Sequence, residues 1–184
     1  MRIARPRTPV SVALVAALVC GLLVSPARAQ GPEFVTLAQG SFPQLGYTWQ
    51  GLALRPNAVT LDLYNAEGAL FQSYTPQFAQ PPPKRSLTAL GYRPVGLPTT
   101  AALVAGAAGT RVKTVKVFFS GAPTQRLAPV PAPAEWGFRA RFFAAGAIVP
   151  DAFANTTQVV TRIKALDRKG KLLTTLRNVF TNPF

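Results

Sequence analysis

The sequence predicts an all-β protein, an antiparallel β-sandwich of one or two units, and three observations support this. Apolar and polar residues alternate over residues 59–64, which is the period-two pattern of a half-buried strand. Residues 65–68 (Asn-Ala-Glu-Gly) are turn formers, and residues 69–74 return as a second strand, which is typical of a hairpin. No segment of comparable length repeats apolar residues at helical spacing between credible caps.

Further strands are predicted along the rest of the chain. They fall at residues 34–37, 47–54, 100–104, 112–119, 136–143, 158–166 and 171–180. Only two alanine-rich stretches, 101–108 and 144–154, are candidates for a turn of helix, and glycines and Pro150 interrupt them. Residues 64–70 and 166–172 show a weak internal sequence similarity, since each has an Asn or Asp followed three residues later by a glycine.

The first 29 residues have the organisation of a secretory signal peptide. Three arginines precede an apolar run of about 15 residues, and Ala27-Arg28-Ala29 supplies small residues before a cleavage point after Ala29. The run is shorter than the roughly 20 residues that span a bilayer, so no transmembrane span is expected in the mature chain. We therefore expect a secreted, periplasmic or cell-surface protein.

The composition after residue 29 limits which catalytic and metal-binding side chains the protein can use. Histidine is absent from the chain, and its one cysteine, Cys20, lies in the apolar run. The most common general base and the His and Cys ligands of metals are therefore missing, and we expect no catalytic residue, no metal site and no cofactor. A hydrolase without histidine would need two carboxylates within about 9 Å of each other, and no strand pattern places two together.

The positive charge is concentrated in the second half of the chain. Beyond residue 29 there are 16 basic and six acidic residues, of which residues 96–184 hold twelve basic and three acidic. A cationic surface outside the cell attracts anionic partners, and we expect anionic polysaccharide, lipid head groups or another cell-surface protein. It also has a simpler explanation, which is solubility.

Proline and charge divide the mature chain. We expect an N-terminal β region at 30–75, a proline-rich linker or sheet crossover at 76–99, and a β-sandwich at 100–184. Three successive prolines at 81–83 favour the linker or crossover, because proline lacks the amide donor of a central strand.

The end of the chain carries the one family resemblance. Residues 159–173 (Val-Val-Thr-Arg-Ile-Lys-Ala-Leu-Asp-Arg-Lys-Gly-Lys-Leu-Leu) form an alternating strand, an Asp-x-x-Gly turn and a return strand. This order resembles the closing hairpin of bacterial extracellular Ig-like and fibronectin-type domains, across residues 102–180. The resemblance implies an Ig-like antiparallel sandwich without the Cys–Trp–Cys hallmark, and it implies no activity.

Alternating cations give the leading candidate binding surface. Arg139 and Arg141 alternate with apolar residues, and so do Arg162 and Lys164. If both strands share a sheet, the four cations form one outer face for an anionic polymer, extended at the following turn by Arg168, Lys169 and Lys171. The alternative is that these cations bind no ligand. They would then form a solvated sheet face that discourages edge-to-edge aggregation.

Aromatic residues give the alternative function, a carbohydrate-binding module. Tyr47, Trp49 and Tyr64 lie in the nearly neutral N-terminal region, and flat rings stack on sugars or pack in protein cores. We prefer the function based on the cations over the carbohydrate-binding module. The chain is then a non-catalytic binding or structural module with a cationic sheet face.

Overall fold

The computed structural model describes residues 32–97, 100–150, 152, 159–179 and 181–183. The predicted signal peptide, residues 1–29, lies outside them. The strands in chain order are β1 (Phe34–Phe42), β2 (Tyr47–Leu54), β3 (Ala58–Tyr64), β4 (Leu70–Tyr74), β5 (Leu87–Arg93), β6 (Thr100–Ala108), β7 (Thr114–Phe119), β8 (Gln125–Leu127), β9 (Val130–Pro131), β10 (Arg141–Val149), β11 (Val160–Leu166), β12 (Leu172–Val179) and β13 (Thr181–Pro183). Short 3₁₀ helices span Pro43–Leu45 and Ala134–Trp136.

The strands form three sheets. The first sheet is an antiparallel meander in the order β1-β2-β3-β4. The central sheet has the order β13-β5-β6-β10-β9, in which only β13 runs parallel to its neighbour. The third sheet has the antiparallel order β12-β11-β7-β8.

The central sheet is packed on both faces. Along β6, Leu103 and Ala105 join a core with the first sheet, whereas Val104 joins a core with the third. Every residue of β6 is buried. The three sheets therefore stack as layers around two apolar cores, and the second face of each outer sheet is left to solvent.

Small residues in β6 and β10 allow this stacking. Gly51 of the first sheet faces Ala144 so closely that a Cβ at Gly51 would overlap the Ala144 methyl group. Gly146 lies against Trp49 and Leu103 in the same way, and Gly106 lies under the ring of Phe143. Over residues 101–108 and 144–149, the alanine-rich candidates for a turn of helix are therefore strands. The end of the second candidate stretch, residues 150–154, lies mostly outside the described residues. A strand buried on both faces is uniformly apolar and loses the alternation that marks a half-buried strand.

The predicted all-β sandwich class is confirmed. The segment 76–99 includes β5, so the chain crosses from the first sheet and then adds a strand to the central one. The resemblance to Ig-like domains stays a prediction. Among the described residues, no helix has the length and apolar character needed to cross a membrane.

The two hairpins with similar turn sequences, β3–β4 and β11–β12, have the same turn structure. Asn65 and Asp167 each accept a backbone hydrogen bond from the glycine three residues later, at 3.0 and 3.1 Å. Gly68 and Gly170 both have φ of 78°, which L side chains rarely adopt. Each turn also adjoins a register shift in its hairpin. The sequence similarity therefore reflects one local structure used at the edge of two different sheets.

A cationic sheet face as candidate binding site

One face of the third sheet packs on the core and the other faces solvent. In β7, Val115, Val117 and Phe119 are buried against the central sheet. In β11, Ile163 and Ala165 are buried in the same core. Because side chains alternate along a strand, the residues between them point outward.

The outward residues are rich in cations. We call this surface the cationic face, and its members are Lys116 of β7, Arg126 of β8, Arg162 and Lys164 of β11, and Arg177 of β12. Arg126, Arg162 and Arg177 are exposed, and Lys116 and Lys164 are half-buried. Every strand of the sheet therefore contributes at least one cation.

The strand register sets these cations directly opposite one another. Lys116 pairs with Lys164 on one side and with Arg126 on the other. Arg162 pairs with Arg177. Paired residues on neighbouring strands lie about 5 Å apart, and the next outward position along a strand lies about 7 Å away.

An aromatic ring organises the middle of the face. The guanidinium carbon of Arg162 lies 4.1 Å from the ring centre of Phe118, and the Nζ of Lys164 lies 5.6 Å from it. Phe118 pairs with Arg162 across β7 and β11. The two cations are thereby positioned by contact with the ring, and their charge is not neutralised by it.

Acidic residues are absent from the four strands of this sheet. Like charges directly opposite each other in a sheet destabilise it, whereas a carboxylate opposite a cation forms a stabilising pair. The three like-charged pairs of this face are therefore not compensated by any acidic residue of the four strands.

The sequence prediction of this face is partly wrong. β10 pairs with β6 in the central sheet, so it does not share a sheet with β11, which was the condition for grouping the four cations. Arg139 precedes β10 and is exposed, while the Nε of Arg141 donates a hydrogen bond to the carbonyl of Pro129 at 3.0 Å. The structure therefore brings Arg162 and Lys164 together and places Arg139 and Arg141 elsewhere.

Lys116, Arg126 and Arg177 complete the face, and sequence reasoning missed them. The alternation around Lys116 was visible, because Val115 and Val117 flank it. The pairing of β7 with β11 joins residues almost 50 positions apart, which no local pattern reports.

The turn after β11 holds the remaining predicted cations. Oδ1 of Asp167 accepts hydrogen bonds from the backbone amides of Lys169 and Lys171, each at 2.9 Å. The side chains of Arg168, Lys169 and Lys171 are exposed. Because the turn is held by its own hydrogen bonds, these cations project from a defined backbone next to the face.

The three aromatic residues of the alternative function do not share one surface, although Trp49 and Tyr64 both line one groove. Trp49 is only 6% exposed and lies in the core between the first and central sheets. Tyr47 packs against that core and meets Phe71 edge-on at 5.1 Å. Tyr64 alternates to the outer face, so the three rings form no common platform for a sugar.

A polar groove nonetheless lies beside Tyr64 on the first sheet. It has a volume of about 420 Å³, and its lining includes Ser41, Thr48 and Gln50. Gln50 donates a hydrogen bond to the Tyr64 hydroxyl, and Ser73 donates one to Asp62 at 2.6 Å. Burial, and then the nearby negative charge of Asp62, raises the pKa of Tyr64 above its usual value of 10.0.

Within the described part of the chain, no group of three or more Asp, Glu, His or Cys side chains is placed to hold a metal ion. No protein family, no curated protein and no solved structure matches this chain.

Proposed function

We propose that this chain is an exported, non-catalytic binding module whose cationic face holds linear anionic polymers of the cell surface. The observation that carries the proposal is the set of three like-charged pairs in register, on strands without acidic residues. Each such pair costs the folded protein up to about 1 kcal/mol in the absence of a partner. A bound polyanion converts that repulsion into attraction.

The geometry fits a repeating ligand. Cations recur about 5 Å apart across the strands and about 7 Å apart along them, which is the range of charge spacing in anionic polymers. Arg162, Arg126 and Arg177 are exposed, so their guanidinium groups are free to pair with carboxylate, sulfate or phosphate oxygens.

The test is retention on an immobilised polyanion such as heparin, eluted by a salt gradient. The face variant is Arg162→Ser with Lys164→Ser. The matched control is Arg55→Ser with Arg139→Ser, which removes two exposed arginines away from the third sheet. We expect the face variant to elute at clearly lower salt than the control, because released counterions scale with the contacts made.

The salt dependence gives a second readout. The slope of log K against log salt should fall by roughly 0.7 to 0.9 for each lost contact in the face variant and stay unchanged in the control. Equal elution of the two variants would mean that retention follows net charge alone, and the cationic face would then have no special role.

The carbohydrate-binding alternative is favoured by one observation, the polar groove beside Tyr64. Hydrogen bonding from Gln50 and Thr48, with the Tyr64 ring, suits a neutral sugar. Glycan binding that persists at high salt and is lost in Tyr64→Ala would support it. Because Trp49 is part of the core, its replacement would not test this function.

A further inference from the structure

We infer that the end of the molecule next to the cationic face docks onto an anionic lipid bilayer. Seven exposed cations from three separate loops converge there. We call this surface the cationic end, and its members are Lys84, Arg85, Arg111, Lys113, Arg168, Lys169 and Lys171. This site is distinct from the sheet face of the proposed function.

Backbone hydrogen bonds bring the three loops together. The amide of Arg111 donates to the carbonyl of Lys84 at 2.9 Å, and the amide of Gly109 donates to Ser86 at 2.8 Å. The amide of Lys113 donates to the carbonyl of Leu166 at 2.9 Å, just before the turn that carries Arg168 and Lys169. The loops at 83–86, 109–113 and 167–171 therefore lie side by side.

The contact between the first two loops depends on a glycine. A Cβ at Gly109 would overlap the carbonyl of Pro83 and the backbone of Lys84. Together with the Asp167 hydrogen bonds, this close approach fixes the backbone of the loops that carry the cations. Only one carboxylate, Asp167, lies in these loops, and its Oδ1 is occupied by backbone amides.

The arrangement favours a surface over a single strand of polymer. Loop tips at the end of a sandwich touch a plane together, whereas a linear chain follows one line across a sheet face. Leu172 stands beside Lys171 and is 49% exposed, which supplies an apolar side chain for the bilayer interface. Exposed cations with an exposed leucine next to them in the chain match the charge and the polarity of an anionic membrane surface.

The test is co-sedimentation with phosphatidylcholine vesicles that contain or lack phosphatidylglycerol. The end variant is Lys113→Ser, Arg168→Ser and Lys169→Ser. For this comparison the face variant carries Lys116→Ser in addition to Arg162→Ser and Lys164→Ser, so that it removes the same charge from the neighbouring sheet as the end variant removes from the loops. Circular dichroism and thermal unfolding establish that each variant is folded.

We expect binding only to vesicles with phosphatidylglycerol, a loss of roughly a hundredfold in the end variant, and a much smaller loss in the face variant. Leu172→Ser should remove the part of the binding that survives high salt. An end variant that binds like wild type, a face variant that loses as much, or a wild type that ignores both vesicles would overturn the inference.

The same variants separate this inference from the proposed function. Retention on the immobilised polyanion should depend on the face variant and only weakly on the end variant. If the end variant loses matrix retention as strongly as vesicle binding, the cationic end belongs to the linear-polymer site and the bilayer inference is wrong. If only vesicle binding behaves as expected, the proposed function fails and the bilayer site stands.

Discussion

Lys116 and Lys164 lie directly opposite each other on neighbouring central strands of the third sheet. Both side chains point to solvent, and Arg126 continues the same row on the far side of Lys116. A sheet selected for stability alone would place a carboxylate or a neutral residue at one of these positions. The arrangement therefore leaves uncompensated positive charge along this row, which the anionic ligand of the proposed function would neutralise.

Lys164→Glu should make the protein more stable and a weaker binder. The new carboxylate would face Lys116 and replace a repulsive pair by an attractive one, which contributes about 0.2 to 1 kcal/mol to the free energy of unfolding. Urea denaturation measures the gain, and retention on the polyanion matrix measures the loss.

Lys164→Gln is the matched control, since it removes the repulsion without adding an attraction. Its gain in unfolding free energy should be the smaller of the two. Added salt should stabilise wild type more than Lys164→Glu, because salt screens the repulsion that only wild type retains. A folded Lys164→Glu protein that is no more stable than wild type would show that the opposed lysines cost nothing.

Gly51→Ala should destabilise the contact between the first and central sheets. The added methyl group would overlap the Cβ of Ala144, and both atoms are fixed to strand backbones. Forcing a methyl group into a packed core costs about 1 to 3 kcal/mol, measurable as a lower denaturation midpoint.

The double variant Gly51→Ala with Ala144→Gly provides the control. It returns the lost space, so its free energy of unfolding should be higher than the sum of the two single effects predicts. Additive effects in this cycle would show that the two sheets move apart freely, and the close packing of the layers would then be unimportant for stability.

The outer sheets were predictable from sequence because each has one face exposed to solvent, which makes apolar and polar residues alternate along its strands. β2 was predicted at its observed bounds, Tyr47–Leu54, and the predicted segments for β3 and β11 came close to theirs. The central strands were harder, since β6 and β10 are buried on both faces and show no alternation. Their alanines and glycines resemble the sequence of a weak helix. In the structure these small residues allow a second sheet to pack closely against the strands.

The candidate site was half predictable for a related reason. Alternation along one strand identified Arg162 and Lys164 as outward cations, and that inference needed only local sequence. Grouping them with Arg139 and Arg141 required a pairing between strands, which depends on contacts distant in the chain. The register instead supplied Lys116, Arg126 and Arg177.

Stability should fall as pH rises above 10, in part through Tyr92. Tyr74 and Tyr92 are stacked with ring centres 4.9 Å apart, and burial raises the pKa of both above the usual 10.0. A raised pKa means that the unfolded chain loses its tyrosine protons first, so folding is favoured below 10.0 and that advantage is lost as pH rises through the folded pKa.

Tyr92→Phe tests this, because it keeps the ring and removes the hydroxyl that donates to Gln72 at 2.7 Å. Lysines also lose charge in this range, so the informative quantity is the difference between the variant and wild type. The unfolding free energy of the variant should decline less steeply between about pH 9 and pH 11. Parallel curves would show that the Tyr92 hydroxyl does not contribute to the alkaline loss.

Asp167→Asn should leave the fold intact and strengthen vesicle binding. Asn65 holds the equivalent position in the first-sheet hairpin, where its Oδ1 accepts a hydrogen bond from the amide of Ala69 at 2.8 Å. An asparagine at 167 keeps the oxygen that the amides of Lys169 and Lys171 need, and it removes the one carboxylate in the loops of the cationic end.

Asp167→Ala loses that oxygen, so it should cost about 1 to 2 kcal/mol of unfolding free energy while removing the same charge. Urea denaturation and vesicle co-sedimentation on both variants separate the turn from the charge. Equal stability of the two variants would refute the turn role, and unchanged vesicle binding in Asp167→Asn would mean that charge in this turn does not reach the bilayer.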